Sequence, residues 1–177
     1  MVLTFVGIAG AVTDTEKFSG QSGPYKMSFT YGNASKYSNV SIFREGRSTE
    51  DYTYDPLVGW DKTGGYGMAV VFNDSHTVEV ILSVIPRSSR MELSDKEFRD
   101  KTWVVSYSKL AEARNEPYKV WTLNNRPWVI SLDSYGDYTA YSFYSKKEAL
   151  FVSAPKDKRD FLWDMLSTLH LEGSIDQ

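Results

Sequence analysis

The chain has no cysteine and only two histidines in 177 residues. That excludes disulfide scaffolds, cysteine-based zinc sites and thiol chemistry, and leaves too few ligands for a histidine-rich metal site. Charge of neither sign dominates, since 20 Lys and Arg against 23 Asp and Glu leave a net −3. The basic footprint of a nucleic-acid binder is missing, so no nucleic-acid partner is expected. No apolar run reaches the roughly 20 residues that a membrane helix needs. Nucleophile elbows of the G-x-S-x-G type and H-E-x-x-H zinc motifs do not occur. Gly64-Gly65-Tyr66-Gly67 is glycine-rich, but it precedes a strand pattern, whereas phosphate loops open a helix. His76 falls in a turn and His170 near the end of the last helical pattern, far apart in the chain. The expectation is a non-enzyme with no catalytic residues, no metal site and no cofactor.

Aromatic residues are what the chain has in plenty: 12 Tyr, 9 Phe and 5 Trp, or 15% of the sequence. With 41% hydrophobic and 24% charged residues, the composition is that of a globular chain with one buried core. Val2 to Val12 (VLTFVGIAGAV) is apolar and ends in small residues, as the centre and end of a secretory signal do. No Lys or Arg precedes it, and a first strand is the other reading. Thr13 to Gly23 is polar and reads as a tether. Asn33-Ala-Ser35, Asn39-Val-Ser41 and Asn73-Asp-Ser75 are glycosylation sequons, an excess for six Asn that matters only in a secreted chain. The expected organisation is a truncated signal-like segment and tether over 1–23, a single domain over 24–173 and a tail over 174–177. An extracytoplasmic location is expected, with membrane attachment only through an N-terminal signal or anchor.

Hydrophobic period gives the elements. Tyr25 to Tyr31 alternates as a half-buried strand does, and Val40 to Phe43 is a short second strand. Arg44 to Gly67 reads as a long polar loop. Gly67 to Phe72 and Thr77 to Ile85 form a hairpin around Asn73 to His76. Ser94 and Glu97 make a capping box for a helix from Asp95 to about Arg114. Its apolar face is Phe98, Val105, Ser108 and Ala111, flanked by Val104, Tyr107 and Leu110. Asn115-Glu116-Pro117 stops it. Strands at Tyr118–Leu123, Pro127–Leu132, Tyr138–Tyr144 and Ala149–Ser153 then make an antiparallel meander. Pro155 suits the first turn of a closing helix with Phe161, Leu162, Met165, Leu166 and Leu169 on one face, and Gly173 is the expected stop. The fold class expected is α+β, a central antiparallel β-sheet sandwiched by helices.

The second half, YKVWTLNNRPWVISLDSYGDYTAYSFYSKKEALFVSAPKDKRDFLWDMLSTLHLE, follows a long helix and ends in Thr168-Leu169-His170-Leu171. With PYKMSFTYG as an opening strand, the pattern over about 24–172 resembles the Mog1/PsbP-like superfamily, which includes PsbP-related and DcrB-like extracytoplasmic proteins. The resemblance implies an α/β/α sandwich and an accessory or binding role, and it carries over no residue set for metal or GTPase binding. Where the family often has Tyr-Pro after the first strand, this chain has Tyr31-Gly32.

Glu50, Asp51, Asp55 and Asp61 lack the alternating ligand spacing of an oxygen-lined cation site and read as a solvated loop. The binding candidates are the aromatics of the same loop, Tyr52, Tyr54, Trp60 and Tyr66, whose type suits a protein hot spot or sugar stacking. The alternative is that they fold back over a sheet edge. Trp103, Trp121, Trp128 and Trp163 lie on strands and helices and are expected in the core. The functional expectation is a non-enzymatic extracytoplasmic module that binds another protein, with a glycan as the other partner class. An inhibitor that blocks a partner enzyme, or a carbohydrate-binding module using 44–67, is the alternative.

Overall fold

A computed structural model describes residues 14–33, 41–42, 53–55, 59–61, 66–71, 78–86, 96–145 and 148–174. The strands are β1 (Thr15–Ser22), β2 (Tyr25–Gly32), β3 (Ser41–Ile42), β4 (Thr53–Asp55), β5 (Gly59–Asp61), β6 (Tyr66–Val71) and β7 (Val78–Pro86). Helix α1 (Lys96–Ala113) comes next, followed by β8 (Tyr118–Leu123), β9 (Arg126–Leu132), β10 (Asp137–Ser145) and β11 (Glu148–Pro155). A 3₁₀ turn at Lys156–Lys158 leads into α2 (Arg159–Thr168), and β12 (His170–Glu172) ends the set. The large sheet has the order β3-β6-β7-β11-β10-β9-β8, a small one has β1-β2-β12, and β4-β5 is a separate ribbon. All pairings are antiparallel. The fold is therefore α+β, with antiparallel sheets flanked by two helices.

Strand alternation sorts the large sheet into two faces. On β9, Trp128 and Ile130 enter one cluster and Val129 the other. The larger cluster joins Val80, Leu82, Val84, Trp128, Ile130, Leu150 and Val152 to Phe161, Leu162, Met165 and Leu166 of α2 and to Tyr25, Met27, Phe29 and Tyr31 of β2. On the opposite face α1 lays Tyr107, Val104 and Leu110 against Val129, Tyr141, Phe143 and Ala149. The Tyr107 and Tyr141 rings stack 4.4 Å apart. The helices thus cover opposite faces, and the small sheet shares a face with α2.

Local chemistry explains the joints. Asn115 takes a positive φ of 54°, and the Glu116 and Asn115 N–H groups donate to the Ala111 and Glu112 carbonyls. This is the Schellman arrangement, with Asn in the left-handed position that usually takes Gly. Asn124 and Asn125 both have positive φ, 51° and 56°, as a two-residue type I′ hairpin requires. Asp133 Oδ1 accepts the Tyr135 and Asp137 N–H groups at 2.9 Å each and closes the β9–β10 turn.

Several expectations change. Thr15–Ser22, expected within a tether, is strand β1, paired with β2 from Thr15↔Gly32 to Ser22↔Tyr25. Its pattern is too polar to signal a strand, and Phe18 against Phe29 at 5.1 Å is its main apolar anchor. The expected loop over 44–67 contains the β4–β5 ribbon, with Tyr54 opposite Trp60. Val105, expected on the inner face of α1, is 44% exposed, while Tyr107 and Ala111 are buried. The last helix stops at Thr168 rather than Gly173, because β12 follows and pairs with β2. His170 is accordingly an exposed strand residue, its Nε2 3.0 Å from Glu172 Oε1. The signal-like run, Ser35, Asn39, the Asn73 sequon, Ser94 and His76 lie outside the described residues.

Candidate functional site

Strand β8 is one of the two end strands of the large sheet among the described residues, β3 being the other. The Leu132 N–H donates to the Pro117 carbonyl at 3.1 Å, and the register pairs Tyr118 with Ser131. Antiparallel ladders alternate, so Lys119, Trp121 and Leu123 turn their backbone groups toward β9. Tyr118, Val120 and Thr122 turn theirs away, toward the open edge. The same strand leaves Val120 47% and Trp121 38% exposed. An edge strand that is both unpaired and apolar is a ready template for another chain.

Trp121 does not stand alone. Its ring meets Trp163 of α2 edge-on at 5.9 Å and 81°, and Tyr138 of β10 meets Trp163 at 5.6 Å and 74°. The Arg159 guanidinium lies 4.8 Å from the Trp163 ring centre, within cation–π range. The edge is thus backed by a fixed aromatic group with a cation at its rim, the residue types that dominate protein hot spots. Sequence reading placed Trp121 in the core. Alternation alone cannot tell that, among the described residues, β8 has no further strand beside it.

Of the predicted binding residues, Tyr52 lies outside the described residues, and Tyr54 and Trp60 are cross-strand partners in the β4–β5 ribbon. Tyr66 starts β6 and packs inward, its ring 5.4 Å from that of Tyr25. The described backbone pairs position 54 with position 60, while Tyr66 is partly buried and packs against the core.

Polar chemistry is concentrated behind the edge. Glu148 is buried at the start of β11, where the Tyr25 hydroxyl donates to Oε1 at 2.5 Å and the Ser145 hydroxyl donates to Oε2. Burial first, and then the Glu148 carboxylate, push the Tyr25 phenol above its ordinary range. On the α1 face, Ser131 Oγ donates to Glu116 Oε2 at 2.8 Å and lies 2.7 Å from Thr139 Oγ1. Pro127 has no N–H to give β10, and the Ser142 hydroxyl donates to its carbonyl at 2.7 Å. These groups satisfy one another and hold strands in place. No cluster of three or more His, Cys, Asp and Glu with metal-binding geometry occurs among the described residues.

No known protein-family model, curated protein or solved structure matches the chain.

Proposed function

We propose that the chain is a non-enzymatic binding or accessory module of the Mog1/PsbP-like kind, acting outside the cytoplasm, and that its protein partner docks on β8. The observation that carries this is the open edge of Tyr118, Val120 and Thr122 beside the exposed Trp121. An extended segment of the partner adds to β8 by main-chain hydrogen bonds, and its side chains meet Val120 on one face and Trp121 on the other. The signal-like Val2–Val12 run supports the compartment.

The test exploits the direction of the Val120 N–H. Val120→Pro removes a donor that faces away from β9, so the ladder and the fold survive. A photo-crosslinker at Lys119 in cells of the source organism captures the partner, which is then purified. The partner is expected to slow hydrogen exchange at the Tyr118, Val120 and Thr122 amides. Val120→Pro and Trp121→Ala are each expected to weaken binding by about tenfold or more. Unchanged exchange at those amides, with affinity intact in both variants, refutes the β8 site. A captured glycan with no protein partner refutes the protein reading.

A further inference from the structure

Two buried donors on β9 have nothing to donate to among the described residues: Arg126 Nη1 and Trp128 Nε1. They are two residues apart, so both project from the same face of the strand, and Trp128 is 1% exposed. Arg126 makes no ion pair among the described residues. Its guanidinium carbon lies 6.0 Å from the Trp128 ring centre and 5.8 Å from that of Tyr144. Rings at that distance attract the cation weakly through their faces and accept none of its in-plane N–H groups. The Tyr144 hydroxyl gives its proton to the Leu171 carbonyl at 3.2 Å, and neither orphan donor bonds its oxygen. Burial lowers the Arg126 pKa from its ordinary value, as desolvation of an uncompensated cation does.

An unmet buried donor destabilises the fold, the more so when it is charged. Native proteins keep such pairs where something supplies the acceptor. The acceptor here must bring oxygen atoms for two donors and one negative charge for one guanidinium. A carboxylate has both, one oxygen for each N–H, and the Trp128 and Tyr144 rings suit a small apolar tail beside it. A phosphate dianion would bring more charge than a single guanidinium offsets. Arg126 is only half-buried and follows the Asn124-Asn125 turn, so the approach is from the hairpin end of the sheet. We propose that Arg126 and Trp128 form a binding site for a small monocarboxylate on β9, the strand next to the β8 edge.

The test reads the indole N–H directly. The five Trp give five side-chain signals in a ¹H–¹⁵N spectrum, and Trp128→Phe assigns that of Trp128. Sodium acetate is titrated against sodium chloride at constant ionic strength, with inorganic phosphate as a third arm. A saturable downfield shift of the Trp128 signal with acetate alone is expected. Arg126→Gln is expected to weaken it by about tenfold or more, and Arg126→Lys by less. The titration of the unmodified protein stands even where a variant fails to fold. The proposal is overturned by no shift with acetate, by an equal shift with chloride, or by tighter binding of phosphate. A shift retained in folded Arg126→Gln, or a long-lived water contact at Trp128 Nε1 that acetate does not displace, also overturns it.

Discussion

The Tyr25, Ser145 and Glu148 group joins two distant parts of the chain. Tyr25 belongs to the small sheet, and the other two flank the β10–β11 turn of the large one. A carboxylate buried between sheets is tolerated because hydroxyls meet both its oxygens. Tyr25→Phe removes one of them and is expected to cost about 1–3 kcal/mol in urea melts. The companion Glu148→Gln is expected to couple to it, so a double-mutant cycle with zero interaction energy would show that the bond contributes nothing. Gly23 sets a second residue-scale constraint. Its φ is +54°, and a Cβ there would sit 2.2 Å from the Tyr66 ring. Gly23→Ala is expected to lower stability by about 1–3 kcal/mol, because both the backbone region and the ring oppose it. Unfolding calorimetry with an unchanged midpoint would contradict this. None of these partners is legible in the sequence, since the Tyr25–Glu148 bond spans 123 positions and only topology brings its ends together.

At the scale of elements, α2 completes what β12 leaves open. Strand β12 covers Lys26 to Ser28 of β2 and stops. Beyond it the Thr30 N–H donates to Thr168 Oγ1 and the Gly32 N–H to Asp164 Oδ2, both at 2.8 Å. Thr168 Oγ1 also lies 3.0 Å from the Thr30 carbonyl. Two side chains of the helix thus continue the ladder along the edge. Asp164→Ala and Thr168→Ala are each expected to cost about 1 kcal/mol and to speed exchange of the Gly32 or Thr30 amide selectively. Uniform change across β2 would instead point to general loosening. The meander β8 to β11 and the buried face of α2 were legible, because alternation and helical spacing report burial directly. Strand β1 was not, since the sheltered positions of this polar run, Phe18, Gly20 and Ser22, include one apolar side chain and its pairing is tertiary. The exposed Trp121 and the unmet Arg126 Nη1 were hidden for the same reason: a neighbour missing among the described residues leaves no mark on local pattern.

For the whole molecule, aromatic rings are the mortar between layers. Burial raises the phenol pKa of Tyr25, Tyr31, Tyr141 and Tyr144. The sign follows from linkage. An unfolded phenol ionises near pH 10, while the folded one keeps its proton. The stability these groups contribute is complete below that pH and is lost as pH rises toward their folded values. Alkaline unfolding is expected, with stability falling by up to about 1.4 kcal/mol per pH unit for each such phenol. Absorbance titration at 295 nm should show a late group of tyrosines ionising with the loss of near-ultraviolet dichroism; all 12 ionising together near pH 10 in a folded chain would refute it. The order β1-β2-β12 also sets a schedule for synthesis. The β1–β2 hairpin is made about 140 residues before the strand and helix that cover its edge are complete. At typical elongation rates that delay is roughly 7–28 s, during which Tyr25, Met27 and Phe29 lack the complete large sheet and α2 that bury them. A chaperone that binds nascent apolar strands would therefore hold β1–β2 until α2 and β12 have been made.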